Sequence, residues 1–341
     1  MLSGEARCLR VLVTGGAGFI GKNFIRMLTA VRQSWKVTNL DGLTYAGNLT
    51  GLPEDGDTYC FVHADIRNTA RIAEVMQNQD AVVHFAAESH VDRSIRNSAD
   101  FVSSNVLGTH VLLDAARTLK VPVFVQISTD EVYGSLALNE PAFQENTPLA
   151  PRSPYAASKA AADLLVQSYH ATYGMDVRIT RCSNNYGPYQ FPEKLLPLAI
   201  VNARRGVPIP IYGDGRQRRD WIHVEDHCRA ILAVLERGKP GEVYNVGSEQ
   251  ETENLEAVRS IVRILGTSED LISFVADRLG HDRRYAMDAR KITAELGWEP
   301  RYSFQEGLTE TVAWYLANEG WWQPLLDQEL PSYHQTVSDR S

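Results

Sequence analysis

The 341-residue sequence has only four cysteines, Cys8, Cys60, Cys182 and Cys228, and no CxxC pair. Their scatter argues against a disulfide scaffold or a zinc ribbon. It fits reduced thiols in a cytoplasmic protein, and no metal site is expected. No run approaches the roughly 18 consecutive apolar residues of a membrane helix, and the first ten residues carry no apolar signal-peptide core. Positive charge is not in excess: 34 Lys and Arg stand against 42 Asp and Glu, a net charge of −8. Neither a nucleic-acid nor a membrane partner is therefore expected. Any phosphate must be held locally, by backbone N–H groups and a few placed arginines. With 24 Gly and 15 Pro, the chain is too poor in both for a collagen-like or low-complexity architecture.

Hydrophobic residues make up 44% of the chain, enough to bury a sizeable core. The length suits about two domains at roughly 150 residues each. Through the first half, short apolar runs alternate with amphipathic stretches. Strands are predicted at 9–14, 37–41, 59–64, 81–86 and 121–128, with helices at 19–30 and 101–119. This alternation predicts an α/β fold of the Rossmann type, a doubly wound parallel sheet. A helix at 155–173 and a strand at 177–181 follow. Residues 186–192 and 274–285 read as irregular, and further helices are predicted at 223–235 and 255–265. The boundary is placed near residue 180. Residues 1–180 are expected to form the first domain. Residues 181–341 form mainly a smaller mixed α/β region, set over the strand ends where ligands of such sheets bind, with some segments returning to the first domain.

Glycines at Gly15, Gly18 and Gly21 follow the first strand and open the first helix. Asp41 stands 20 residues after Gly21, at the end of the next strand. In that context the glycines allow a tight turn and close approach of a pyrophosphate, and the helix N-terminus supplies donors. Asp41 would bond the adenosine ribose hydroxyls and repel a 2′-phosphate, which favours NAD over NADP. Asp65 and Ile66, just after the third strand, form a candidate edge for adenine.

Tyr155 and Lys159 lie four apart on one helix face. A nearby ammonium stabilises a phenolate, which suits a group that exchanges a proton with an alcohol during hydride transfer. Thr129 ends the preceding strand, and Asp130 and Glu131 follow it. Once an alcohol has become a ketone, the adjacent C–H is acidic. One carboxylate can remove that proton while a protonated carboxyl group helps a β-hydroxyl leave as water.

The turn Thr14–Gly21 has the TGxxGxxG form of the extended short-chain dehydrogenase/reductases. Further stretches are HFAAESHVDRS (84–94), STDEVYG (128–134), SPYAASKAAAD (153–163), RCSNNYGPYQFPEKLLP (181–197), PIYGDGRQRRDWIHVEDHCRAI (210–231), GEVYNVG (241–247) and GHDRRYAMD (280–288). With these the chain resembles the nucleotide-sugar dehydratases of that superfamily. Related 4-epimerases keep the Tyr and Lys but carry neutral residues in the two acidic slots.

The resemblance implies a redox-neutral conversion of dTDP-glucose to its 4-keto-6-deoxy form on bound NAD. Tyr155, helped by Lys159 and Thr129, takes the 4-hydroxyl proton. Glu131 removes the C5 proton as Asp130 protonates the leaving 6-hydroxyl. It further implies that Phe19, Ile20, Gly42, Leu43, Thr44, Asp65, Ile66, Phe85, Ala86, Ala87, Ser89 and Ser104 line NAD, with Asn185 reaching cofactor or sugar. Ser89, Thr129, Asn184, Glu193, Lys194, Tyr212, Arg219, Asn254, His281 and Tyr285 are implied for the sugar nucleotide. Arg219 is the best diphosphate clamp, because a guanidinium can bind two phosphate oxygens. A homodimer is implied through helices 101–119 and 155–173. Lys22 and Asn23 depart from the usual Ser and His or Asn after the glycine turn and are expected to be peripheral. Leu279 replaces a common Pro before Gly280. The other readings are a UDP-glucose dehydratase, a 4-epimerase or decarboxylase, and an NAD-sensing regulator. The acidic pair argues against the epimerase, and intact Tyr and Lys positions argue against the regulator.

Overall fold

The computed structural model describes residues 8–326. The last 15 residues assigned to the second region, 327–341, lie outside them. Strands β1 (Arg10–Thr14), β2 (Lys36–Asp41), β3 (Tyr59–His63), β4 (Ala81–His84), β5 (Val123–Thr129) and β6 (Val177–Cys182) are short and rich in Val and Ile. All seven residues of β5 are buried, as expected where helices cover both faces of a parallel sheet. The second half adds β7 (Asn184–Tyr186), β8 (Ile209–Tyr212), β9 (Arg218–His223), β10 (Val243–Val246), β11 (Glu251–Glu253) and β12 (Ile272–Val275).

Seven strands form one sheet in the order β10-β6-β5-β4-β1-β2-β3, parallel throughout. The predicted doubly wound sheet is therefore present. The order reverses between β1 and β4, which opens a crevice at the carboxyl ends of the strands. Helices Phe19–Val31 and Val224–Arg237 pack on one face, and Thr109–Thr118 and Pro154–Tyr173 on the other. A smaller region holds the three strands β11-β9-β7, the pair β12-β8, and helices Leu195–Arg205, Asn254–Leu265 and Phe304–Ala317 around their own core.

Three expectations are corrected in detail. Residues 101–119 are not one α-helix: Val102–Gly108 is a π-helical segment before Thr109–Thr118. The wider turn brings buried Asn105 across to Glu88 O (3.0 Å) and Ser158 Oγ (2.8 Å) as donor. Ile66 fills the space left by Gly108, where a Cβ would lie 2.3 Å from its Cδ1. His223 closes β9, and the helix starts at Val224. Phe274 belongs to β12 and not to an irregular stretch.

Candidate active site

The buried strand β5 delivers Thr129 to the crevice, and the chain then tightens into the 3₁₀ turn Asp130–Tyr133. Thr129 Oγ1 accepts from the Glu131 N–H (3.3 Å) and donates to Asp130 Oδ1 (3.1 Å). Asp130 is 1% exposed, and its Oδ2 is buried with no hydrogen-bond partner among the described residues. Burial, then the neighbouring Glu131 charge, push its carboxyl group well above the usual range. Glu131 lines the adjoining cavity and is also raised by burial, with Arg278, Lys194 and Arg219 opposing. Two adjacent carboxyl groups are thus both displaced upward, Asp130 the more strongly.

Ser153 caps the helix Pro154–Tyr173, accepting from the Ala156 N–H at 3.1 Å, and Pro154 presets its first turn. Tyr155 lies in that first turn, with Lys159 one turn on. Burial pushes the Tyr155 phenol well up, and the carboxylates of Glu131 and Asp130 add to it. A hydrogen bond with Thr129 acts the other way. Hydroxyl and carboxyl groups therefore run in sequence from Tyr155 through Thr129 to Asp130. The Lys159 ammonium donates to the Ile127 carbonyl at 2.7 Å.

Beside these groups opens a cavity of about 730 Å³. Ser89, Asn184, Asn185, Glu193, Lys194, Tyr212, Arg219, Asn254, His281 and Tyr285 all line it. Arg219 is buried against the Tyr285 ring, 4.3 Å from its centroid, and donates to the carbonyls of Arg218 (2.8 Å) and Asp282 (2.9 Å). Tyr285 in turn donates to Asp282 Oδ2 at 2.5 Å. Lys194 Nζ donates to Ser89 O at 3.0 Å, and Tyr45 Oη to Glu193 Oε1 at 2.8 Å. His281 pairs with Asp277 (2.6 Å), while burial lowers its pKa to about 4.

At the other end of the crevice Gly15 adopts φ +75°, and a Cβ there would lie 2.4 Å from the Ala86 nitrogen. Only glycine fits so close an approach. No side chain caps the helix Phe19–Val31, so its first N–H groups have no side-chain acceptor at the cap. Asp41 is buried. Its Oδ2 accepts from the Ala17 N–H (2.9 Å) and its Oδ1 from the Leu43 N–H (2.8 Å).

The family model described as GDP-mannose 4,6 dehydratase matches residues 12–311. The dTDP-glucose 4,6-dehydratase of Streptomyces niveus is 51% identical over 323 residues, covering 93% of this chain and 96% of that protein. The chain belongs to the nucleotide-sugar 4,6-dehydratase family. Among solved structures, a dTDP-glucose 4,6-dehydratase from Streptomyces venezuelae with NAD bound superposes with a TM-score of 0.90. It is 51% identical and covers 93% of this chain and all of its own. The UDP-glucose 4-epimerase of Thermus thermophilus, a complex with NAD, is 30% identical with a TM-score of 0.85, covering 91% of this chain and all of its own.

Within this dehydratase-family site, every residue assigned from sequence to the sugar nucleotide lines the cavity except Thr129, which sits behind Glu131. The Asp65 carboxylate, at the candidate adenine edge, accepts from Arg67 Nε at 2.9 and 3.1 Å. Ile66 is buried against Gly108, and Ser104 lies in the π-helical segment. Lys22, expected to be peripheral, is fully buried. Sequence reasoning missed Arg278, Gln190 and Trp221, which also line the cavity. Arg278 lies in a polar stretch with no periodicity. Gln190 and Trp221 sat inside quoted motifs, and only the fold turns them inward.

Proposed function

We propose that the protein converts dTDP-glucose to dTDP-4-keto-6-deoxyglucose and water on a resident NAD, by oxidation at C4, elimination across C5 and C6, and reduction at C6. The observation that carries this reading is the adjacent pair of buried Asp130 and half-buried, cavity-lining Glu131, both raised in pKa, beside Tyr155. An epimerase needs no such pair.

The crevice fits NAD on its own geometry. The Gly15 turn packs on the Ala86 backbone, a Cβ at Gly18 would meet only the Gly15 carbonyl at 3.3 Å, the helix after Gly18 has no side-chain cap, and Asp41 stands where the ribose hydroxyls would lie. Gly15, Gly18, Phe19, Ile20, Gly21, Asp41 and the loop through Thr44 would hold it. Bound there, NAD supplies the hydride acceptor for C4 and the hydride donor for C6. Tyr155 takes the O4 proton, positioned by its bond with Thr129. Lys159, one helical turn on and anchored to the Ile127 carbonyl, is the cation that would favour the ionised phenol. Glu131, raised in pKa and open to the cavity, is the base for the C5 proton. Asp130, kept protonated by burial, gives its proton to O6 as water leaves. Lys194, Arg219 and Asn254 face the diphosphate and nucleoside.

The test is incubation with dTDP-glucose and detection of the alkali-induced ultraviolet absorbance of a 4-keto sugar. The expected result is that absorbance, with slower turnover of UDP-glucose. A C4 epimer as product, or no 4-keto sugar, refutes the reading.

Arg219→Lys keeps the charge but loses the stack on Tyr285 and one of the two anchoring bonds. Its KM for the sugar nucleotide should rise about tenfold, while kcat falls less than about threefold, because the diphosphate is remote from the reacting carbons. Steady-state kinetics check this, and a collapsed kcat at normal KM would place Arg219 in the chemistry.

Residues 1–180, with Val224–Arg237 and β10 returning, are read as the NAD unit, and the remainder as the sugar-nucleotide unit. Four unpaired thiols suit the cytoplasm. Val102 (56% exposed), Leu107 (50%) and Leu164 (56%) leave apolar surface on the two helical segments that suggested dimerisation. A homodimer is therefore expected, and sedimentation at micromolar protein should give twice the chain mass.

A further inference from the structure

Lys22 follows directly on Gly21, yet its side chain takes no part in the chemistry above. It is 1% exposed, a costly position for an ammonium. Burial and the nearby Arg26 lower its pKa to about 8, with Asp41 opposing. The ammonium donates to Asn48 Oδ1 (2.7 Å) and to the Thr50 carbonyl (3.0 Å). The rings of Tyr189 and Trp321 lie 5.1 and 5.9 Å from it. These contacts offset the desolvation, and both hydrogen bonds fall on one loop, with the Tyr189 and Trp321 rings packed beside it.

That loop leaves β2 at Asp41, passes Gly42, Leu43 and Thr44, and doubles back. Leu43 takes the strained φ of +47°. Gly47 returns so close that a Cβ there would lie 3.2 Å from Asp41 Oδ1. The next residue, Asn48, donates from its backbone to Ala17 O at 3.3 Å and receives both the ammonium and the Trp321 indole N–H (3.4 Å) on its side-chain oxygen. Arg26 donates to the Gly51 carbonyl, and Gly51 itself abuts Tyr189. The loop thus roofs the Asp41 carboxylate, and its far end is fastened from inside by Lys22.

We propose that Lys22 is a positioning residue for the cofactor: its ammonium fastens the loop at 44–51 over the Asp41 ribose site and so sets how tightly NAD is held. This rests on the NAD reading given above. A loop left free to lift must be ordered again each time the cofactor binds, and that ordering is subtracted from affinity. Lys22→Met fills much the same volume and removes the charge and the donors.

The experiment is titration of NAD into the cofactor-stripped full chain, followed by kinetics at saturating NAD. In Lys22→Met the Kd for NAD should rise about tenfold, the scale of a lost charge-assisted bond. The sugar-nucleotide KM and kcat at saturating NAD should move less than about twofold, a split that general destabilisation does not produce. Asn48→Ala removes the same clamp from the loop side and should show the same loss. The double variant should lose less than the sum of the two single losses, because the Lys22–Asn48 bond is deleted in both. If Lys22→Met fails to fold, the Asn48→Ala titration decides. A Kd for NAD unchanged in the folded variants, or losses that add in the double variant, overturns the proposal. A wild-type chain that binds no NAD overturns the cofactor reading itself, and the proposal with it.

Discussion

Glu131→Gln is expected to bind dTDP-glucose, begin the reaction at C4 and stop there. The amide keeps the shape of Glu131 but cannot take a proton from C5, so release of 4-keto-6-deoxy sugar should fall on the order of 10²–10⁴-fold. In heavy water the sugar recovered after a single turnover should carry no deuterium at C5. Asp130→Asn removes the acid and leaves the base, so C5 exchange should persist while loss of water slows. Mass spectrometry of the sugar separates the two, and a shared phenotype would identify a concerted elimination. Rapid C5 exchange in Glu131→Gln would remove Glu131 as the base. The direction of the pKa shifts also sets the pH profile. Asp130 is raised, so its acid function is present below its folded pKa and lost as pH climbs through it. Glu131 is raised too and acts as a base only above its own folded value. Activity should occupy the window between the two apparent values of the coupled pair, and Asp130→Asn should flatten the alkaline limb.

Tyr155→Phe should lose about 10²–10⁴-fold in kcat while the Kd for the sugar nucleotide changes little, since only a hydroxyl is removed. Burial first and Glu131 next raise the pKa of the phenol, and the hydrogen bond with Thr129 opposes them. Its work therefore depends on Thr129, which bonds both the phenol and Asp130. Thr129→Val should reproduce part of the loss, and Thr129→Ser should restore most of it. Full turnover by Tyr155→Phe, measured by product formation, would refute its role.

Much of this site was legible because its parts are close in sequence. A strand, three glycines and the acid ending the next strand are set by local geometry, and so is a Tyr four residues before a Lys on a capped helix. Thr129, Asp130 and Glu131 are consecutive. What stayed hidden depends on closure between distant segments. The π turn at Val102–Gly108 exists because Asn105 must reach Glu88 and Ser158, which apolar periodicity does not report. The start of the helix at Val224 was obscured because His223 ends a strand paired with β7 and β11, each three residues long. Lys22 reads as a surface charge until Asn48, Thr50, Tyr189 and Trp321 are folded around it. Arg278 and His281 come from a stretch without period, and only the cavity brings them together with Glu131.

The hydrogen bond from Tyr45 to Glu193 crosses from the loop beside Asp41 to the wall of the sugar-nucleotide cavity. Arg93 stacks on the same Tyr45 ring at 3.6 Å. A loop that touches both sites gives one ligand a route to bias the binding of the other. Whatever factor one contributes to the other's affinity is returned in equal measure, by thermodynamic necessity. In a cycle that begins and ends with the same oxidised cofactor, that reciprocity has a kinetic use. The bridge predicts a lower Kd for NAD with dTDP in the cavity than without it, which would keep the cofactor in place during the interval in which its escape would strand a half-finished product.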